Sequence, residues 1–367
     1  MKIWVDCMNN YMEELNDGYY HFLTDLQKYP DAWCYIVWSR RGPGKTYSAL
    51  WSSYYMHIPI IYMKRTLDDV ELICSDNGYG FDPSPYVPIN RDKHTNIKAR
   101  RIKKGFGAFY DVDDAGEPEG LPVSYLMALN GIKKFKGFDF SVCDWILLDE
   151  FIPQVGEIVK HGEGEMLLDL YMTIARDRQK RGRKPLKLIL FANAEEISTP
   201  VTNTLEVVDI MADLNASGKN YYYDEDRGIM LHHITNSEYP LLESEKTGVY
   251  KAMINTSWGR KAFEGDFSNN DFTNIGRRSL KNMTPFIHLK YKTHDYYIYT
   301  HDDGSRYMCT SRAKCPLEFN LNLENDQKLF FIDYGIDLRN DCIEGRFIFQ
   351  KYSMYDLLVN YRKFFKI

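Results

Sequence analysis

A glycine-bearing loop directly behind an apolar run constrains this chain more than any other feature. Residues 33–38 read Trp-Cys-Tyr-Ile-Val-Trp and residues 39–46 read Ser-Arg-Arg-Gly-Pro-Gly-Lys-Thr. A short apolar run bounded by turn residues predicts a buried strand, so the loop leaves a strand end. Gly42 and Gly44 let backbone N–H groups turn inward with no Cβ in the way. Lys45 supplies a point charge, and the Thr46 hydroxyl can ligate a divalent cation. Residues 47–56 read as a helix, whose N-terminus adds a favourable partial charge for an anion. The whole is a cradle for nucleotide phosphates, built from Ser39, Arg40, Arg41, Gly42, Pro43, Gly44, Lys45 and Thr46. It departs from the usual G-x-x-x-x-G-K-[ST] pattern at its first position, where Ser39 replaces glycine.

Residues 145–150, Trp-Ile-Leu-Leu-Asp-Glu, form a second buried-strand pattern that ends in two adjacent carboxylates. In a nucleotide hydrolase the first carboxylate holds Mg²⁺, usually through water, and the second polarises the attacking water. Asp149 takes the first role and Glu150 the second. Loop and acidic pair together predict an ATP-binding, Mg²⁺-dependent site.

The chain of 367 residues is long enough for two or three domains. A hydrophobic content of 44% with 26% charged residues is that of a globular protein rather than a disordered one. No apolar stretch approaches the ~18 residues of a membrane span, and residues 1–7 lack the apolar core of a secretory signal. Seven scattered cysteines fit free thiols in a reducing compartment, with no zinc-like spacing. A net charge of −5 argues against a general nucleic-acid coat but not against a local grip.

Strand and helix alternate up to about residue 200, which predicts a mostly parallel sheet covered on both faces. Helices are expected over 8–29, 67–74 and 166–178, and strands over 58–63, 98–110, 123–129 and 186–191. Residues 76–95 read as a loop. Residues 200–265 combine helix-like stretches with a polar segment at 215–227. Strand patterns follow at 286–291, 296–301, 306–310 and 329–333, and 354–365 reads as a closing helix. The domains expected are 1–204, a connecting or lid subdomain at 205–265, and 266–367.

Three further groups carry candidate chemistry. Arg176 and Arg178 end the predicted 166–178 helix, where either could stabilise γ-phosphate charge in a neighbouring subunit; a helix C-terminus also favours cations for its own sake. Asn193, at the tip of the strand beside Asp149 and Glu150, could sense the γ-phosphate or orient water, or simply cap the next turn. Lys98, Arg100, Arg101, Lys103 and Lys104, with Lys133, Lys134 and Lys136, could contact a nucleic-acid backbone, or be solvated faces.

Taken in order, the 39–46 loop, Tyr-Met-Lys-Arg at 62–65, Ile-Leu-Leu-Asp-Glu-Phe-Ile at 146–152, Ala-Arg-Asp-Arg at 175–178 and Phe-Ala-Asn-Ala at 191–194 resemble one family. It is the compact DNA-packaging ATPase of small tailed bacteriophages, related to the large terminase subunits. The resemblance covers most of the chain. It implies an ASCE-type ATPase domain, a small connecting subdomain and a mixed α/β, ribonuclease H-like C-terminal domain with a vestigial nuclease. It also implies a homopentameric ring that docks on the portal of a procapsid in the host cytoplasm, drives double-stranded DNA inward on ATP, and is absent from the mature virion. Some relatives use a structural RNA. By position Arg176 matches the trans-acting finger, Asn193 the coupling residue and Arg41 a basic residue of the phosphate loop. Competing readings are a terminase with an active, two-metal DNA-cleaving domain, a non-hydrolysing DNA-binding assembly protein, and a small-molecule kinase.

Overall fold

A computed structural model of the chain describes residues 17–75, 81–135, 138–154, 156–176, 178–267 and 269–365. The chain divides into two compact units. The first comprises residues 1–205 and 213–269, the second 206–212 and 270–367.

The first unit is built on a nine-stranded sheet. Its strands are β1 (Cys34–Ser39), β2 (Ile60–Lys64), β3 (Ile97–Lys103), β4 (Phe106–Asp111), β5 (Ser124–Ala128), β6 (Trp145–Asp149), β7 (Lys187–Asn193), β8 (Tyr221–Asp224) and β9 (Ile229–Ile234). Their order is β3-β4-β5-β2-β6-β7-β1-β9-β8. The six strands from β5 to β9 in that order run parallel. At one end β4 runs antiparallel to β5 and the edge strand β3 antiparallel to β4; at the other the edge strand β8 runs antiparallel to β9. Every residue of β1, β6 and β9 is buried, as parallel strands covered on both faces require. That explains their near-continuous apolar character. Aromatic side chains fill one face, with Phe22 edge-on to Tyr35, Trp145 and Phe191 at centroid distances of 5.4–5.9 Å.

Several expectations are corrected. The stretch at 98–110 is two strands, because Gly105 (φ +75°) turns the chain between β3 and β4. The 76–95 loop contains a helix, Val87–Lys93, with proline in its first turn. Of the helix expected over 8–29, Phe22–Lys28 is helical and residues 1–16 lie outside the described residues. Strands β8 and β9 add to the large sheet, so most of the stretch expected as a connecting subdomain, 213–265, lies in the first unit. The expected 166–178 helix runs over Glu163–Ala175, here α1, and Arg176 leaves it in an extended conformation (φ −56°, ψ +132°).

The second unit holds a five-stranded sheet of β10 (Met283–Tyr291), β11 (His294–His301), β12 (Arg306–Cys309), β13 (Leu317–Asn320) and β14 (Phe347–Phe349). β10, β11 and β12 form an antiparallel meander, β13 lies parallel to β10 and β14 parallel to β12. The strand expected at 329–333 is helical instead. Glu324–Phe330 continues through Phe331–Gly335 into Ile336–Ile343, and buries Phe330, Leu338 and Cys342 in the core of this unit. Among the described residues no helix is long and apolar enough to cross a membrane.

Candidate nucleotide site

The glycine loop leaves the carboxyl end of β1, the edge of a parallel sheet where ligands of open α/β folds sit. Gly42 (φ +99°) and Gly44 (φ +93°) both take left-handed conformations that a side chain would strain. The loop is pinned from outside as well, since the Tyr20 N–H donates to the Pro43 carbonyl at 2.9 Å. Lys45 is the first residue of α2 (Lys45–Tyr55).

Residues 41–47, Asp149, Glu150, Ala192 and Asn193 line one cleft of about 360 Å³. The structure therefore brings the loop and the acidic pair together. The Thr46 hydroxyl donates to Asp149 Oδ1 at 2.9 Å. Lys45 is buried, its Nζ bonded to the Ser39 hydroxyl, 3.3 Å from the Arg40 carbonyl and 3.4 Å from Asn193 Oδ1. Burial pushes the Lys45 amine down to about 7, although Asp149 and Glu150 pull in the opposite direction. Glu150 has φ +55°, an uncommon conformation for a non-glycine residue, at the point where the chain leaves β6.

Two residues without an assigned role join the acidic pair. The Tyr62 hydroxyl donates to Asp149 Oδ2 at 3.0 Å, and Lys64 Nζ lies 3.1 Å from Asp149 Oδ2 and 2.8 Å from Glu150 Oε2. Both come from the end of β2, directly beside β6. Burial lowers the Lys64 pKa, but Tyr62, Asp149 and Glu150 outweigh it and hold the amine well above the ordinary lysine value. Spatial adjacency to the Asp149 strand is the missing information; it exists only in the strand order. Tyr47 also lines the cleft, next to Thr46 in the first turn of α2.

Other candidates stand apart. Ser39 and Arg40 are not part of the cleft lining; Arg40 turns away to Glu245 and Asn236. Arg178 is 2% exposed and donates to the carbonyls of Lys184, Ser141 and Cys143 and to Asp144. Arg176 is exposed, and lines a separate cleft with Thr173 and Arg181. On the edge strand β3, Lys98 pairs with Asp82 at 2.9 Å, Arg101 with Glu71 at 3.2 Å and Arg100 with Glu117 at 3.9 Å. Lys103 lies 4.3 Å over the Phe138 ring, and Lys104 is exposed. Basic residues on an edge strand also discourage pairing with another sheet. Lys133 and Lys134 lie on the 3₁₀ helix Leu129–Phe135, and Lys136 lies outside the described residues.

No family model and no curated protein matches the sequence. Solved structures match it over nearly its whole length. The phi-28 gp11 DNA packaging motor superposes on 96% of this chain and 99% of its own, with a TM-score of 0.58 and 16% identity. A chain of the bacteriophage phi-29 viral genome packaging motor assembly superposes on 94% and 99%, with a TM-score of 0.59 and 16% identity. The chain has the fold of these packaging-motor proteins. At that identity the likeness is one of fold, and the chemistry rests on the cleft.

Proposed function

We propose that this chain is the ATP-hydrolysing subunit of a ring motor that drives double-stranded DNA into a viral procapsid through its portal. The observation that carries the reading is the 2.9 Å contact between Thr46 and Asp149, which unites the glycine loop and the acidic pair in one cleft. The fold shared with two packaging motors over 94–96% of the chain supports the same conclusion.

In this reading 39–46 is a P-loop whose backbone N–H groups and Lys45 hold the β- and γ-phosphates. Thr46 and Asp149 offer hard oxygen donors side by side, which suits Mg²⁺, and the ion would neutralise charge on those phosphates. Glu150 accepts the proton of the attacking water, and Asn193, beside Lys45, orients water or the γ-phosphate. Arg41, exposed at the cleft, adds a further cation. Arg176 from a neighbouring copy supplies the finger; Arg178 is the weaker candidate, since all three of its guanidinium nitrogens are engaged inside its own subunit.

The assembly implied is a ring, pentameric by resemblance, on the portal of a procapsid inside the host cell, with a structural RNA as a further partner in some relatives. The second unit is read as a ribonuclease H-like domain without nuclease activity. Of the acids this domain offers, Asp302 and Asp303 occupy the β11–β12 turn and Asp333 lies in a helical segment rather than at a strand end.

The test is steady-state ATP hydrolysis with and without double-stranded DNA. DNA should stimulate it, and Glu150→Gln should reduce it by at least about a hundredfold while nucleotide still binds. Binding with no hydrolysis, even with procapsids added, would favour the non-hydrolysing assembly protein.

A further inference from the structure

The segment that follows β9 closes back on the start of the glycine loop at three points. Arg40, 4% exposed, donates from Nη1 to Glu245 Oε1 at 2.6 Å and from Nη2 to Oε2 at 3.2 Å. Its Nε donates to Asn236 Oδ1 at 3.0 Å, and Asn236 in turn donates to the Phe263 carbonyl at 2.8 Å. Gly265 (φ +72°) packs so tightly on the loop that a Cβ there would lie 2.4 Å from the Arg40 nitrogen.

Glu245 is itself oriented, because its Oε2 accepts the Leu242 N–H at 2.8 Å. Its Oε1 lies 2.7 Å from the point a Cβ of Gly42 would occupy, so the carboxylate sits directly against the loop backbone. Arg40 passes this grip on. Its Nη1 also donates to the Arg41 carbonyl at 2.9 Å, and its own carbonyl lies 3.3 Å from Lys45 Nζ.

We propose that Glu245 is a positioning residue of the nucleotide site, acting through Arg40 to hold the loop in the conformation that directs Arg41 and Lys45 to the cleft. The inference rests on the ATPase reading given above. A bidentate guanidinium–carboxylate pair fixes direction as well as distance, which a lone charge does not. Without the carboxylate the loop samples other conformations, and apparent affinity falls by the fraction of molecules still competent. The lost interaction touches no reacting atom, so it weakens binding and leaves the chemical step alone.

The test compares full-length wild type, Glu245→Ala and Glu245→Gln by nucleotide titration, by KM and kcat for ATP, and by the melting temperature without nucleotide. Glu245→Ala should raise Kd and KM about tenfold, equivalent to about 1.4 kcal/mol, with kcat within about twofold. Glu245→Gln keeps an acceptor for Arg40 and should lose about threefold. If the alanine variant melts below the assay temperature, the glutamine variant carries the comparison. Folded variants with wild-type Kd and KM, or a loss confined to kcat, would overturn the proposal. Wild-type protein that binds no nucleotide would overturn the ATPase reading itself, and this inference with it.

Discussion

At the scale of single residues, the charge that Lys45 presents to an anion depends on pH, because burial pushes its amine down to about 7. Lys45 is legible from the Gly-Lys-Thr pattern alone, yet its burial is a product of the Ser39 end of β1 and of Asn193 on β7. With a pKa of about 7 the amine is only partly protonated near neutrality. A bound polyphosphate favours the charged form, so above pH 7 binding must take up a proton at Lys45, and below it the proton is already present. Nucleotide affinity should therefore fall towards tenfold per pH unit above about 7. Calorimetry in buffers of different ionisation enthalpy reads the uptake directly. Lys45→Arg, which stays charged throughout, should abolish that component. Equal proton uptake by the two proteins at pH 8 would place the titrating group elsewhere. Arg40 and Arg178 show the limit of reading single residues: nothing local marks either as internal, because Glu245 is 205 positions from Arg40 and Asp144 is 34 from Arg178.

At the scale of elements, apolar runs bounded by turn residues were legible as strands, and so were the mixed runs of β10, β11 and β12, within three residues at either end. β1, β2, β6 and β7 emerge from the sequence within a residue or two at either end. β9, Ile-Met-Leu-His-His-Ile, did not, since two histidines break its apolar run. It is buried throughout because each histidine has partners: His233 lies flat on Trp38 at 5.1 Å, and His232 Nδ1 and Nε2 lie 2.8 Å from Asp25 and Glu238. The helix through 331–335 failed for the opposite reason. Its Leu-Phe-Phe-Ile run has strand propensity, but packing on Phe330 and Leu338 overrides it.

The His232 network makes stability depend on pH. Burial alone would lower the His232 pKa, but Asp25 and then Glu238 outweigh it and raise it above 6.5. Burial likewise opposes ionisation of Glu238, yet His232, Tyr221 and Asn220 bring its pKa below 4.5. The raised histidine contributes stability that is complete below about pH 6.5 and is lost as pH rises through the folded value. The depressed glutamate contributes stability that is present above about pH 4.5 and is lost as pH falls through its folded value. Denaturant midpoints should accordingly decline from pH 6.5 towards pH 9. His232→Gln should be less stable at pH 6.5 and show a flatter decline. A wild-type decline matched by the variant would assign it to other groups.

At the scale of the whole molecule, the open question in the sequence was which arginine at the end of the 166–178 stretch serves a neighbour. Strand order answers for one of them. Arg178 is spent on the segments that lead into β6 and β7, and removing it would strand three carbonyls and Asp144. Arg178→Ala should destabilise the protein by about 3 kcal/mol or more, seen as a lowered denaturant midpoint. Arg176 ends α1 exposed, so Arg176→Ala should leave the melting temperature nearly unchanged while lowering ATP hydrolysis by about a thousandfold. A finger acting in trans gives a sharper expectation. A ring mixed from Arg176→Ala and Glu150→Gln subunits contains some interfaces where an intact Glu150 cleft meets an intact Arg176. Mixing two inactive proteins should then restore measurable hydrolysis, rising and falling with their ratio. A finger acting within its own subunit allows no such rescue, because every subunit in the mixture lacks one of the two groups. Absence of rescue at concentrations where mixed assemblies are demonstrated would exclude the trans arrangement and leave Arg41, exposed at the cleft of its own subunit, to stabilise the γ-phosphate.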